Sequence, residues 1–143
     1  AFDSLRLEKG YRLWGQDIHT EYNPYEAGIG FAVRLKAGDF IGREALNDIR
    51  SEGLTRKLCC MTLDDLDAVV LGKEPILRGD DVLGYVSSAG YGYSIGRGIA
   101  YGYLPIEHSE VGTKLDVLYF GERRPVTVTA EPLYDPKMER LKS

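Results

Sequence analysis

The chain has 143 residues, enough for roughly one to one and a half domains. With 43% hydrophobic and 28% charged residues it has the composition of an ordinary soluble globular protein. It has no apolar run of the roughly eighteen residues a membrane helix needs. Its formal net charge of −4 argues against nucleic acid or an anionic membrane as a partner.

In chain order, "AFDSLRLEK" lacks the basic-then-apolar arrangement of a signal peptide and reads like the middle of a helix in a longer protein. Residues 2–14, "FDSLRLEKGYRLW", are good helix formers, with Gly10 as a plausible stop. So short a helix is marginal alone in water. It is therefore expected to continue an upstream helix or to dock on a larger body. "GFAVRL" has strand character, with Phe31, Val33 and Leu35 on one face. "GREALNDIRSEG" reads as a second helix, with Ala45, Leu46 and Ile49 on its apolar side and Gly53 as its stop. The first helix and "GFAVRL" are expected to dock on the rest of the chain, to pair with a second copy, or to leave apolar surface exposed.

From about residue 55 the periodicity changes to two. "RKLCCMTL", the hairpin "EPILRGDDVLGYVSSAG" with its turn at "RGDD", "RGIAYGYL", "TKLDVLYF" and "RPVTVTAEPL" read as strands, the last two joined by a tight turn at "FGERR". Short strands at this spacing, rich in Tyr, predict a small closed antiparallel barrel or a sandwich. Leu58, Val86, Ile99, Leu115, Val117, Val126 and Val128 are expected to point inward. Cys59 and Cys60 are adjacent on a strand and would face opposite ways, so a disulfide between them is disfavoured, and a reduced, intracellular protein is the simpler reading.

"GYGYSIGRG", residues 90–98, resembles a phosphate loop at first sight. A strand follows it rather than a helix, and its glycine spacing misses G-x-G-x-x-G, so a glycine-rich corner between strands is the better reading. The other chemical-looking features are weak. His19 and His108 lack partners at metal spacing. "DDLD" at 64–67 lacks the calcium-loop pattern. "RGD" at 78–80 has the residue types of a turn. Cys59 has no base nearby in sequence.

Four stretches together carry a family resemblance. "SSAGYGYSIGRGIAYGYLP" resembles the "TSG-x-x-S…IA-x-x-Y-V" segment of the glycine-cleavage T-protein (aminomethyltransferase) family. "DSLRLEKGYRLWGQD", "NPYEAGIGFAVRLKAGDFIGREAL" and "VGTKLDVLYFGERRPVTVTAEPLYDPKMERLK" resemble further family segments in the same order. Trp14, "EKGYRLWG" and "YGYSI" look most like the C-terminal folate-binding region of dimethylglycine and sarcosine dehydrogenases. The resemblance implies a mainly β fold with an α+β N-terminal part. Residues 1–52 would be the tail end of the folate-binding domain, and 53–143 the aminomethyltransferase-type C-terminal β-barrel.

It also implies tetrahydrofolate as the cofactor, accepting a one-carbon unit, and FAD in an upstream domain if the parent is a dehydrogenase. The expected partners are upstream domains of the same polypeptide and folate, with self-association of this chain an open expectation. The expected location is cytoplasmic, or the mitochondrial matrix in a eukaryote. Tyr11 matches a family position where an aromatic lines the folate cleft; its other reading is a packed helix-end aromatic. Trp14 either walls the same cleft or packs in the core. Phe2 stands where many family members carry a folate-contacting Arg. Arg6 is expected to pair with Asp3, and Glu26 either caps a turn or reaches the cleft. No catalytic residue and no metal ligand is assigned. A stand-alone aminomethyltransferase is the alternative parent. A non-enzymatic folate-binding relative serving iron–sulfur maturation ranks last, because its "KGCYxGQE" is replaced here by "AGDFIGREA".

Overall fold

The computed structural model describes residues 1–142. Six strands form the body: β1 (Arg56–Leu63), β2 (Pro75–Arg78), β3 (Asp81–Gly92), β4 (Arg97–Pro105), β5 (Lys114–Tyr119) and β6 (Glu122–Thr129). All neighbours pair antiparallel in the order β1-β4-β3-β2-β5-β6, and β6 returns to β1, so the sheet closes into a barrel. Closure leaves no edge strand to recruit a partner. The β5–β6 turn is a two-residue loop in which Phe120 (φ 48°) and Gly121 (φ 82°) are both left-handed, the twist that suits tight hairpins.

The barrel interior holds Met61, Leu63, Ile76, Val86, Ala100, Leu104, Leu115, Val117, Val126 and Val128, with Ala68 and Val70 of the β1–β2 connection packed into the same cluster. Each of the Val, Leu, Ile and Met side chains among them contributes about 1.5–3 kcal/mol on burial. Leu58 and Ile99 are buried but not inward. They share a second cluster with Leu7, Cys60, Tyr101 and Tyr103, on the outer wall made by β1 and β4. The N-terminal segment covers that wall, so both faces of these strands are apolar. Period-two alternation cannot then say which face looks in.

Helix α1 (Phe2–Lys9) docks on this wall through Leu7 and ends at Gly10, whose φ of 72° permits the left-handed cap. The expected strand "GFAVRL" is absent. Gly30–Ala32 form a 3₁₀ turn closed by Ala32 N–H to Ile29 O and Val33 N–H to Gly30 O, both 3.0 Å, and Phe31 is 87% exposed. A strand needs an edge, the closed barrel offers none, and the backbone bonds locally instead. Helix α2 (Arg43–Glu52) forms as expected, yet buries none of its residues. Of the three outcomes expected for the first half, α1 docks, whereas Phe31 and Ile41 remain exposed.

Candidate functional site

Tyr11 and Trp14 sit in the turn after α1, and both are largely exposed, at 58% and 71%. Neither is packed in the core. Beneath them the chain is held by buried polar groups. Arg6 donates to Asp17 Oδ2 (Nη1, 2.9 Å) and to Ser88 Oγ (Nη2, 3.0 Å). Asp17 is 1% exposed. Its Oδ1 accepts from Ser87 Oγ at 2.6 Å and its Oδ2 also accepts from Leu13 N–H at 3.0 Å, while Tyr103 Oη donates to its carbonyl at 2.7 Å. The expected Arg6–Asp3 contact exists at 2.9 Å. Asp3 is solvent-exposed, so this pair contributes little beside the buried one.

Arg12 clamps the turn from another side. It donates to Gly10 O, to Ala27 O and to both carboxylate oxygens of Glu131, which follows the last strand. Burial works against its charge, but the Glu131 hydrogen bond and charge outweigh this and raise its pKa. The turn backbone is itself closed: Leu13 O accepts from the Asp17 amide at 2.9 Å, and Gly15 N–H bonds to Ile18 O at 2.8 Å. Two exposed aromatic rings thus stand on a fixed base. Phe2 and Leu5 are also exposed, on the α1 face turned away from Leu7.

The glycine-rich stretch is the β3–β4 hairpin. Ser94 and Ile95 N–H groups converge there, and both bond to Glu8 Oε1, at 2.6 and 3.2 Å. A Cβ at Gly92 would meet Ile99 Cδ1 at 2.7 Å and Glu8 Oε1 at 3.0 Å. The stretch therefore holds an anion, but the anion is the chain's own carboxylate. Glu26 caps a turn, accepting from Asn23 N–H at 3.0 Å, and pairs with Arg56 Nε at 3.0 Å. The "RGD" run is the β2–β3 turn, where Asp80 pairs with Arg123 at 2.6 Å. Asp64 of "DDLD" accepts from Thr127 Oγ1 and pairs with Lys114, which together hold its pKa down. His19 lies beside Tyr22 and Glu21, and His108 beside Arg78. No cluster of three or more His, Cys, Asp or Glu able to hold a metal occurs among the described residues.

A cavity of about 290 Å³ opens where β1 and β6 part, lined by Tyr25, Lys57, Cys59, Cys60, Val128 and Glu131 among others. Neither Tyr11 nor Trp14 lines it. Burial pushes both thiols up to about 11, so at neutral pH they stay protonated and are poor nucleophiles. Sequence reasoning missed the Arg6–Asp17 and Arg12–Glu131 pairs. Asp17, a lone acid directly before Ile18 in "WGQDI", was the one available hint, and its partners at 87, 88 and 103 are remote in sequence.

The fold is that of a six-stranded closed barrel carrying a docked helix and an aromatic-tipped turn. The family description "Glycine cleavage T-protein C-terminal barrel domain" matches residues 56–135, and "GCVT N-terminal domain" matches residues 1–37. The chain belongs to the glycine cleavage T-protein family. It is 41% identical to mitochondrial dimethylglycine dehydrogenase of Mus musculus, over 99% of this chain and 17% of that protein. It is 40% identical to the aminomethyltransferase of Symbiobacterium thermophilum, over 94% of this chain and 36% of that protein. The crystal structure of glycine cleavage system aminomethyltransferase T from Bartonella henselae superposes with a TM-score of 0.86 at 26% identity, covering 94% of this chain and 38% of that one. The chain thus spans well under half the length of each of these relatives. Among the described residues no helix is long and apolar enough to cross a membrane.

Proposed function

We propose that this chain is the C-terminal portion of a folate-dependent one-carbon-transfer enzyme of the dimethylglycine or sarcosine dehydrogenase kind, which passes an oxidised methyl group to tetrahydrofolate. The observation that carries this reading is the 41% identity to a dimethylglycine dehydrogenase across 99% of the chain. Residues 1–52 are then the end of the folate-binding domain and 53–143 the terminal barrel. Upstream domains of the same polypeptide are its partners. The location that goes with this reading is the mitochondrial matrix in a eukaryote, supported by the mitochondrial dimethylglycine dehydrogenase of Mus musculus among the relatives, and the cytoplasm in a bacterium.

The residues present fit one wall of a folate site. Tyr11 and Trp14 are exposed aromatics on a turn that is already bonded, suited to stacking on the planar pyrimidine ring of a pterin, and the Tyr11 phenol adds one hydrogen bond. Tetrahydrofolate, when bound, supplies amine nitrogens that capture the one-carbon unit. The chain's own part is to bind and orient. The converging amides of the β3–β4 hairpin are taken by Glu8, so this glycine-rich stretch offers a flavin's phosphates no site. The flavin site belongs to other parts of a dehydrogenase. The 40% identity to an aminomethyltransferase over 94% of the chain favours the second reading, a stand-alone aminomethyltransferase.

The test is an assay of the longer polypeptide that carries this chain. It should oxidise dimethylglycine or sarcosine and yield methylene-tetrahydrofolate, and Tyr11→Ala should raise the KM for tetrahydrofolate about three- to tenfold, the worth of one aromatic contact. Oxidation of neither amine, with release of a one-carbon unit from an aminomethyl carrier instead, selects the second reading.

A further inference from the structure

Tyr11 and Trp14 share a single buried support. Tyr11 N–H bonds to Arg6 O at 2.8 Å, and Arg6 Nη1 reaches back to the Tyr11 carbonyl at 3.4 Å. The residue before Trp14, Leu13, donates its N–H to Asp17 Oδ2, the same oxygen that Arg6 Nη1 holds at 2.9 Å. Asp17 is in turn tied to β3 by Ser87, and Arg6 by Ser88. The carbonyl of Asp17 is tied to β4 by Tyr103, whose ring stacks on Tyr22 with centroids 3.5 Å apart. Both exposed rings therefore hang from one ion pair, and that pair is bolted to two adjacent barrel strands.

From this geometry we infer that Asp17 is a positioning residue for the aromatic wall. It touches no ligand. It joins the turn to the barrel, so that the rings of Tyr11 and Trp14 meet a flat heteroaromatic ligand already in place. A site held in its bound arrangement avoids the ordering cost of an exposed turn bearing two large side chains. All of the carboxylate's bonds go to groups that fix the turn: Arg6, the Leu13 amide and Ser87. With Asp17 removed, Leu13 N–H would lose its acceptor and Arg6, although still bonded to Asp3 and Ser88, would lose its buried counter-charge, so the turn would have to rearrange to satisfy both. The inference rests on the folate reading only for the identity of the ligand.

Trp14 is the sole tryptophan, so the chain labelled with 5-fluorotryptophan gives one ¹⁹F resonance that reports this turn. The test compares the wild type with Asp17→Asn, which keeps the shape and removes the charge. Circular dichroism first establishes a temperature at which both are folded. In folded Asp17→Asn the resonance is expected to narrow and move toward its position in the urea-unfolded chain. An unchanged resonance in the folded variant overturns the proposal. If Asp17→Asn does not fold, the double change Ser87→Ala, Ser88→Ala decides, since it keeps the ion pair and cuts its side-chain ties to β3; the same shift supports the proposal and an unmoved resonance overturns it. Titration with 5-formyltetrahydrofolate then follows the same signal. Binding should weaken about three- to tenfold in the variant, the cost of ordering one or two side chains, and equal affinity overturns the positioning role. Where the resonance of this chain does not respond to 5-formyltetrahydrofolate, the comparison is made as the KM for tetrahydrofolate in the longer polypeptide that carries the chain; a KM there that neither Tyr11→Ala nor Trp14→Ala moves removes the folate reading, while the turn's dependence on Asp17 stays decided by the first measurement.

Discussion

The barrel and the arm at residues 31–53 use similar apolar residues and end in opposite states. Ile76 in β2 is fully buried, whereas Ile41 in the arm is fully exposed. The barrel satisfies its backbone by closing on itself and then fills its interior. The arm has no free edge to join, so it bonds locally and turns its side chains outward. A third region, residues 1–30, reaches the barrel by a different route. One leucine, Leu7, enters the outer cluster, and buried polar groups make most of the remaining ties. Hydrophobicity alone therefore does not decide burial here. What decides it is whether the chain offers a surface with which both the apolar atoms and the backbone can be satisfied together.

This contrast can be broken first at the polar junction. Arg6→Met leaves Asp17 as a buried charge without its partner and should cost about 3–5 kcal/mol in urea unfolding. A cost near that of a surface change would mean that the N-terminal segment is not part of the cooperative unit. Next comes a matched pair. Ile76→Ala should destabilise by about 2–5 kcal/mol, and Ile41→Ala by no more than about 0.5 kcal/mol. Equal effects would show that the arm packs on something within the chain. A smaller effect comes from the thiols. Both lie above the ordinary thiol value of 9.0, at about 11, because burial penalises the thiolate. A raised pKa in an acid means that the folded state keeps protons that the unfolded state loses. This contribution is complete below about pH 9 and is lost as pH rises from about 9 to 11, on the order of 2 kcal/mol per thiol. The buried phenols of Tyr101 and Tyr103, also raised, add to the alkaline loss above that range. Urea midpoints measured from pH 8 to 11 should fall, and Cys60→Ala should flatten the fall. A flat wild-type profile would contradict the burial of both thiols.

The same contrast explains what could be read from sequence. All six strands and the helices α1 and α2 were legible, because period two and capping glycines are local signals, whereas the short helix Glu139–Lys142 was not expected. The strand expected at "GFAVRL" failed because alternation reports a capacity to pair and cannot show that the barrel has no edge to offer. Leu58 and Ile99 were legible as buried but not as outward, since α1 and its turn make the outer wall of β1 and β4 as apolar as the inside. The expectation that Tyr11 and Trp14 line a folate cleft came only from the family resemblance. Their support was not legible, because Arg6, Asp17 and Ser87 come together across some 70 to 80 residues of chain.

The central claim is that this chain carries one aromatic wall of a folate cleft, based on Tyr11 and Trp14. A pocket gains affinity by enclosing most of its ligand, and one wall encloses little. Calorimetric titration of the chain with tetrahydrofolate tests this most directly. The account predicts weak binding or none, with any weak heat abolished by Tyr11→Ala. Tight, stoichiometric binding that Tyr11→Ala leaves intact would contradict it and place the folate site elsewhere on the molecule.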